Sequence, residues 1–138
     1  MKIHQEAVNL PARGRGLHDV TAQVARVVGA SGIRTGLCTI YVRHTSASLV
    51  VQENADPAVL RDLQRFFERV APEGADYEHD AEGPDDMPAH LRAALTRTSE
   101  TVPVGGGELM LGTWQAVYLF EHRRSPHARS LVVTLIGE

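Results

Sequence analysis

The stretch "TWQAVYLFEHR", residues 113–123, constrains the fold more than any other part of the chain. Strand alternation puts Trp114, Ala116, Tyr118, Phe120 and His122 on one side, and Gln115, Val117, Leu119, Glu121 and Arg123 on the other. Both sides are largely apolar, so the segment belongs in the middle of a sheet with material packed on each face. A glutamate on a covered face also demands a partner. Arg123 two residues on, a ligand or a neighbouring subunit could supply it.

Around this strand the pattern alternates between strands and helices. "KIHQEAVNL" reads as a first strand, stopped by the Gly- and Arg-containing turn "PARGRG". Val20, Val24, Val27 and Val28 recur at helical spacing, with Asp19 or Thr21 as cap and Gly29 and Gly32 at the close. Residues 35–43 alternate again, with Cys38, Ile40 and Val42 on one side, and a short strand follows around Ala47–Val51. Asp56 and Pro57 then open a second helix whose apolar positions run from Val59 to Val70. An acidic, turn-rich loop over 72–85 leads to a third helix capped by Asp86. Strands return at 101–104, after the Gly105–Gly107 turn, at 114–123 and at the C-terminus. The pattern predicts an α+β sandwich of mostly antiparallel sheet with about three helices.

At 138 residues the chain fits one domain, 1–138, and its formal net charge of −3 gives no electrostatic reason to expect nucleic acid or an anionic membrane as partner. No apolar run approaches the ~20 residues of a membrane span, and the N-terminus lacks a signal-peptide core, so a cytoplasmic location is expected. The one cysteine, Cys38, sits in an apolar strand and reads as a small hydrophobe rather than a nucleophile.

Chemistry is concentrated in histidines and acids. In "HTSASL", residues 44–49, His44 continues the Cys38/Ile40/Val42 side and should point inward, which calls for a hydrogen-bond partner, a metal or a substrate. His79 lies in the acidic loop, and His90 sits near the start of the third helix at the edge of its core-facing stripe. Each alone is most simply a structural or surface residue. Together, His44, His79 and His90 could supply three imidazoles with an open fourth position, the composition of a catalytic zinc site. Asp86, four residues before His90, could orient that ring. Glu53 and Asn54 exceed what the Asp56 cap needs, and carboxylate and amide oxygens of this kind could hold magnesium beside a phosphate. The glycine stretches lack the context of a phosphate loop, and Ser46 and Ser48 are not framed as a nucleophile elbow.

Taken together, "HTSASL", "ENADPAVLRD", "YEH", "GPDDMPAH", "GTWQ" and the spaced Tyr118, Leu119, Glu121 and Arg123 resemble the YjbQ family, also named secondary thiamine-phosphate synthase. The resemblance runs from about residue 14 to the C-terminus. It implies an α+β homotrimer whose motif residues gather in a pocket near the subunit contact. It also implies a weak activity that couples an aminopyrimidine pyrophosphate to a thiazole phosphate. On this chain the family pattern marks His44, Thr45, Ser46, Ser48, Glu53, Asn54, Asp56, His79, Asp85, Asp86, His90, Trp114, Gln115, Glu121 and Arg123. Of these, Ser46, Glu53, Asn54, Asp86, Gln115, Glu121 and Arg123 are the expected catalytic residues, and His44, His79 and His90 the expected metal ligands. The expected cofactor is a divalent ion, zinc or magnesium, and the expected partner a small phosphorylated metabolite. The alternative is a trimeric protein that binds a metal or an anionic metabolite without turnover. Gln52 stands where the family often has asparagine, and "RTSETVPVGGGEL" departs from the usual pattern after the third helix.

Overall fold

The computed structural model describes residues 1–138. The element order is β1 (Lys2–Arg13), β2 (Gly16–Asp19), α1 (Thr21–Ser31), β3 (Gly36–Val42), β4 (Ala47–Glu53), α2 (Pro57–Val70), α3 (Asp86–Leu95), β5 (Ser99–Gly105), β6 (Glu108–Leu109), β7 (Gln115–Glu121) and β8 (His127–Gly137). They form a five-stranded sheet, β1-β8-β3-β5-β6, and a three-stranded sheet, β2-β7-β4. Every named pairing is antiparallel. No helix is long and apolar enough to cross a membrane.

β7 occupies the middle of the smaller sheet, as its two-sided apolar pattern requires. Val117 and Leu119 face the inner side of the larger sheet, joining Cys38, Ile40, Val42, Leu131, Val133, Leu135 and the valines of α1 in one buried cluster. Phe120 faces the other way and meets Phe67 of α2 edge-on, with ring centroids 5.5 Å apart. The chain is thus layered as sheet, sheet and helix pair. At the β5–β6 turn, Gly105 pairs with Glu108, which leaves Gly106 and Gly107 to make a two-residue loop. Both have positive φ, +59° and +81°, the mirror-image turn that matches strand twist and that favours glycine.

Several local expectations change. "PARGRG" does not stop the first strand: β1 runs to Arg13 through an irregularity after Leu10, and β2 follows against β7. The glycine and arginine content hid this because the pairing is made with a strand about 100 residues away. Asp56 caps α2 as expected, accepting from the Ala58 N–H at 2.9 Å. Asp86 does not cap α3: Asp85 holds that position without a side-chain cap bond, and Asp86 is already inside the helix. The apolar stripe of α2 is covered only in part, with Phe67 buried while Phe66 and Val70 are 47% and 48% exposed. The outer face of the larger sheet is uncovered too. Ile3, Ile136, Leu37 and Pro103 stand side by side in register across four strands of it.

Candidate functional site

The end of the sandwich where β4 begins and β7 ends carries the chemistry. There Ala47 pairs with Glu121, and the chain leaves β7 as Glu121, His122 and Arg123, side chains that alternate in direction. Arg123 points to the start of α3. Its Nε donates to Asp85 Oδ2 and its Nη1 to Asp86 Oδ1, both at 2.9 Å, and its Nη2 donates to the Glu82 carbonyl at 3.0 Å. All three nitrogens are therefore engaged in holding the two aspartates and the loop before them.

Asp86 is the hub of the site. While Oδ1 takes the arginine, Oδ2 lies 2.7 Å from His79 Nε2 and 3.0 Å from His90 Nε2. His79 comes from the acidic loop, and Glu82 Oε2 stands 3.1 Å from the same Nε2. Asp86 and His90 are one helical turn apart on α3, so helix geometry alone brings them together. One ligand atom from each of His79, Asp86 and His90 lies within 4.8 Å of the other two.

Proton placement around His90 is informative. Its Nδ1 is 3.0 Å from the Thr45 carbonyl, and a carbonyl can only accept, so Nδ1 carries a proton. Its Nε2 faces a carboxylate oxygen as well. A neutral imidazole has one N–H, so either a second proton or a cation must lie between Nε2 and Asp86. A ring fixed through Nδ1–H to a backbone carbonyl, with Nε2 turned to an acid, has the orientation of a metal ligand. Burial alone would raise the pKa of Asp86, but the hydrogen bond from His79 and the neighbouring His90 and Arg123 outweigh it and hold the carboxyl below the usual aspartate value. The His79 pKa is raised, chiefly by the hydrogen bond to Asp86.

A family model described as UPF0047 protein YjbQ-like matches residues 6–138. The chain belongs to the YjbQ family. A UPF0047 protein of Synechocystis is 54% identical over 136 residues, covering 98% of this chain and 92% of that one. The UPF0047 protein YjbQ of Escherichia coli O157:H7 is 41% identical over 136 residues, covering 98% and 99%. Among solved structures, a YbjQ-like protein of unknown function from Sulfolobus solfataricus superposes with a TM-score of 0.90 at 29% identity, covering 99% of each chain. The YjbQ-family motifs seen in the sequence thus sit on the family's α+β fold.

Within one chain those motif residues divide into two groups. His79, Asp85, Asp86, His90 and Arg123 converge, with the Thr45 carbonyl, at one end. Glu53, Asn54 and Gln115 lie at the other end of the β4–β7 ladder, where Glu53 pairs with Gln115 six residues from Ala47, roughly 20 Å away at ~3.3 Å per residue. There they serve the backbone. Asn54 Nδ2 donates to the carbonyls of Thr113 and Gln115, Glu53 Oε2 accepts from the Ala55 N–H, and Gln115 Oε1 accepts from the Gly112 N–H. Trp114 is 64% exposed beside them.

His44 stands apart from the ligand cluster. It is half-buried, and its Nε2 accepts from the Ser130 backbone N–H at 2.8 Å, which satisfies the inward ring without a metal. Burial, then the charge of Arg129, lowers its pKa. Glu121 finds its partner inside the chain: Arg129 Nε and Nη2 reach its two oxygens at 2.7 and 2.6 Å, and the Arg123 N–H adds a third bond at 3.1 Å. The same Arg129 donates to Ser46 Oγ at 3.0 Å. Ser48 Oγ lies 2.8 Å from His122 Nε2 and 2.6 Å from Thr96 Oγ1, and none of the three is hydrogen-bonded to His79, Asp86 or His90. Arg129 was missed in the sequence, although it shares the parity of Leu131, Val133 and Leu135 and so had to point inward. Glu82, three residues from His79, carried no comparable signal.

Proposed function

We propose that this chain is a metal-dependent enzyme of the thiamine-phosphate synthase type, its ion held by His79, Asp86 and His90. The observation that carries the reading is His90, whose two ring nitrogens both face oxygen acceptors, an arrangement that a neutral ring completes with a cation on Nε2. Two imidazole nitrogens and one carboxylate oxygen suit zinc or another transition ion better than magnesium, which prefers an all-oxygen shell. An ion there would neutralise the charge of a departing pyrophosphate. The chain's own contribution is to fix the ligands: Thr45 holds the His90 ring, and Arg123 holds Asp86 from its other oxygen.

Metal analysis of the purified protein, followed by a coupling assay with the two thiamine precursors in the presence and absence of the ion, tests the reading. About one equivalent of ion per chain is expected, with coupling lost on chelation. Asp86→Asn should weaken metal binding 10- to 100-fold, while Asp56→Asn, which keeps its cap, should bind metal normally. Metal retained in full by Asp86→Asn sinks the site. Metal bound without turnover leaves the reading of a non-catalytic binding protein. Because a proton on His79 competes with the ion, binding should release protons and weaken toward acid pH.

We also infer a homotrimer. The in-register apolar row Ile3, Ile136, Leu37 and Pro103 leaves Leu37 53% exposed on a sheet face that nothing in the chain covers. Light scattering should give three times the chain mass of 15.1 kDa, and Leu37→Glu should lower it. A stable monomer at micromolar concentration defeats this.

A further inference from the structure

Two cavities flank the His79–Asp86–His90 cluster, and they differ in charge. On the His79 side a cavity of about 330 Å³ is walled by the acidic loop, with Asp76 and Asp80 in its lining and no arginine or lysine. On the His90 side a cavity of about 590 Å³ is lined by Arg43, His44, Thr45 and Thr98 around an apolar floor that includes Val42 and Ala93. No carboxylate lines it. This volume falls in the range of small-molecule sites, and its polar groups are mainly hydrogen-bond donors.

The tautomer of His44 decides what that ring can do. A backbone N–H can only donate, so the bond from Ser130 makes Nε2 the acceptor, and the neutral ring carries its proton on Nδ1. Neither nitrogen then has a lone pair to give an ion: one is taken by the backbone and the other is protonated. The Nδ1–H is a donor, and His44 lines the cavity together with Arg43 and His90.

Resting on the metal-site reading above, we propose that the cavity on the His90 side is the oxyanion half of the site, in which Arg43 and the His44 Nδ1–H bind the phosphate end of a phosphorylated substrate beside the ion. His44 is then a ligand-binding residue and not a metal ligand. The apolar floor takes the rest of the substrate, and the acidic cavity beyond His79 repels the same anion and so gives the site a direction.

The test is calorimetric titration of pyrophosphate into the metal-loaded protein, with metal content measured in parallel. Arg43→Gln, a surface change, and His44→Ala should each weaken pyrophosphate binding about tenfold or more while metal content stays at the wild-type level. Asp80→Asn, on the acidic side, should leave pyrophosphate binding unchanged or slightly tighter. Loss of metal in His44→Ala with unchanged circular dichroism would overturn the proposal by making His44 a ligand. So would wild-type pyrophosphate affinity in Arg43→Gln, or no binding to the wild type at all. A wild type that holds no ion would instead remove the metal site, and pyrophosphate binding that still depended on Arg43 and His44 would leave the oxyanion cavity standing.

Discussion

Arg129→Met should destabilise the fold by about 3–5 kcal/mol, the loss that follows when one member of a buried ion pair is removed. Glu121 is 1% exposed and Arg129 6%. The pair is bidentate, at 2.7 and 2.6 Å, and it bridges the two sheets, since Glu121 ends β7 and Arg129 lies on β8. Removing the arginine strands a carboxylate with only the Arg123 N–H for compensation, and strips Ser46 of its donor. Arg129→Met combined with Glu121→Leu should recover most of the loss, because two apolar groups of similar volume need no counter-charge. Urea denaturation of the two single variants and the double variant gives the coupling directly. A single variant within 1 kcal/mol of wild type, or a double variant as unstable as the sum of the singles, would show that the pair is not what joins the sheets there. Because Arg123 follows Glu121 closely, the stable double variant should still bind metal less tightly than wild type.

What could be read from the sequence was what depends on alternation or on helical spacing. Both faces of β7 are buried because both are apolar, and Asp86 and His90 meet because they are four apart on a helix. The same parity rule, applied to β8, points Arg129 at Glu121. What could not be read depends on partners that lie far off in the chain. The inward direction of His44 follows from its strand, but the Ser130 N–H that satisfies it is 86 residues away, and no local pattern distinguishes that bond from a metal. Glu53, Asn54 and Gln115 share motifs with site residues yet sit at the opposite end of the ladder, because a motif fixes order along the chain and not position along a strand. Asp85 and Asp86 are adjacent and chemically equal in sequence. Only the position of the first helical turn decides which of them begins the helix and which turns into the site.

Acid should expose the second large effect, at His122. The ring is fully buried between Phe120, 4.3 Å away, and the Ser48 hydroxyl, and its Nδ1 has no hydrogen-bond partner. Burial, reinforced by the charges of Arg92, Arg15 and Arg129, pushes its pKa down to about 3 from an ordinary value of 6.5. Between those two values the unfolded chain binds a proton at this position that the folded chain does not. Stability therefore falls as pH falls, by about 1.4 kcal/mol per pH unit, reaching a loss of about 3 kcal/mol near pH 4. His44, whose pKa is also lowered, adds to the loss in the same direction. His79 acts oppositely: its raised pKa contributes stability that is present below pH 6.5 and lost as pH rises through the folded value. The depressed carboxyls contribute stability that is lost only below their unfolded values, near 3.8 for Asp85 and Asp86 and near 4.5 for Glu6, so the range from pH 6 to 5 isolates the histidines. Urea melts of the metal-free protein across that range should show a steep decline for wild type and a slope shallower by about 1.4 kcal/mol per pH unit for His122→Gln, which keeps a polar group near Ser48 but does not titrate. Equal slopes in the two proteins would mean that His122 takes up its proton without leaving the folded state, and that the interior between β7 and the helices is open to water.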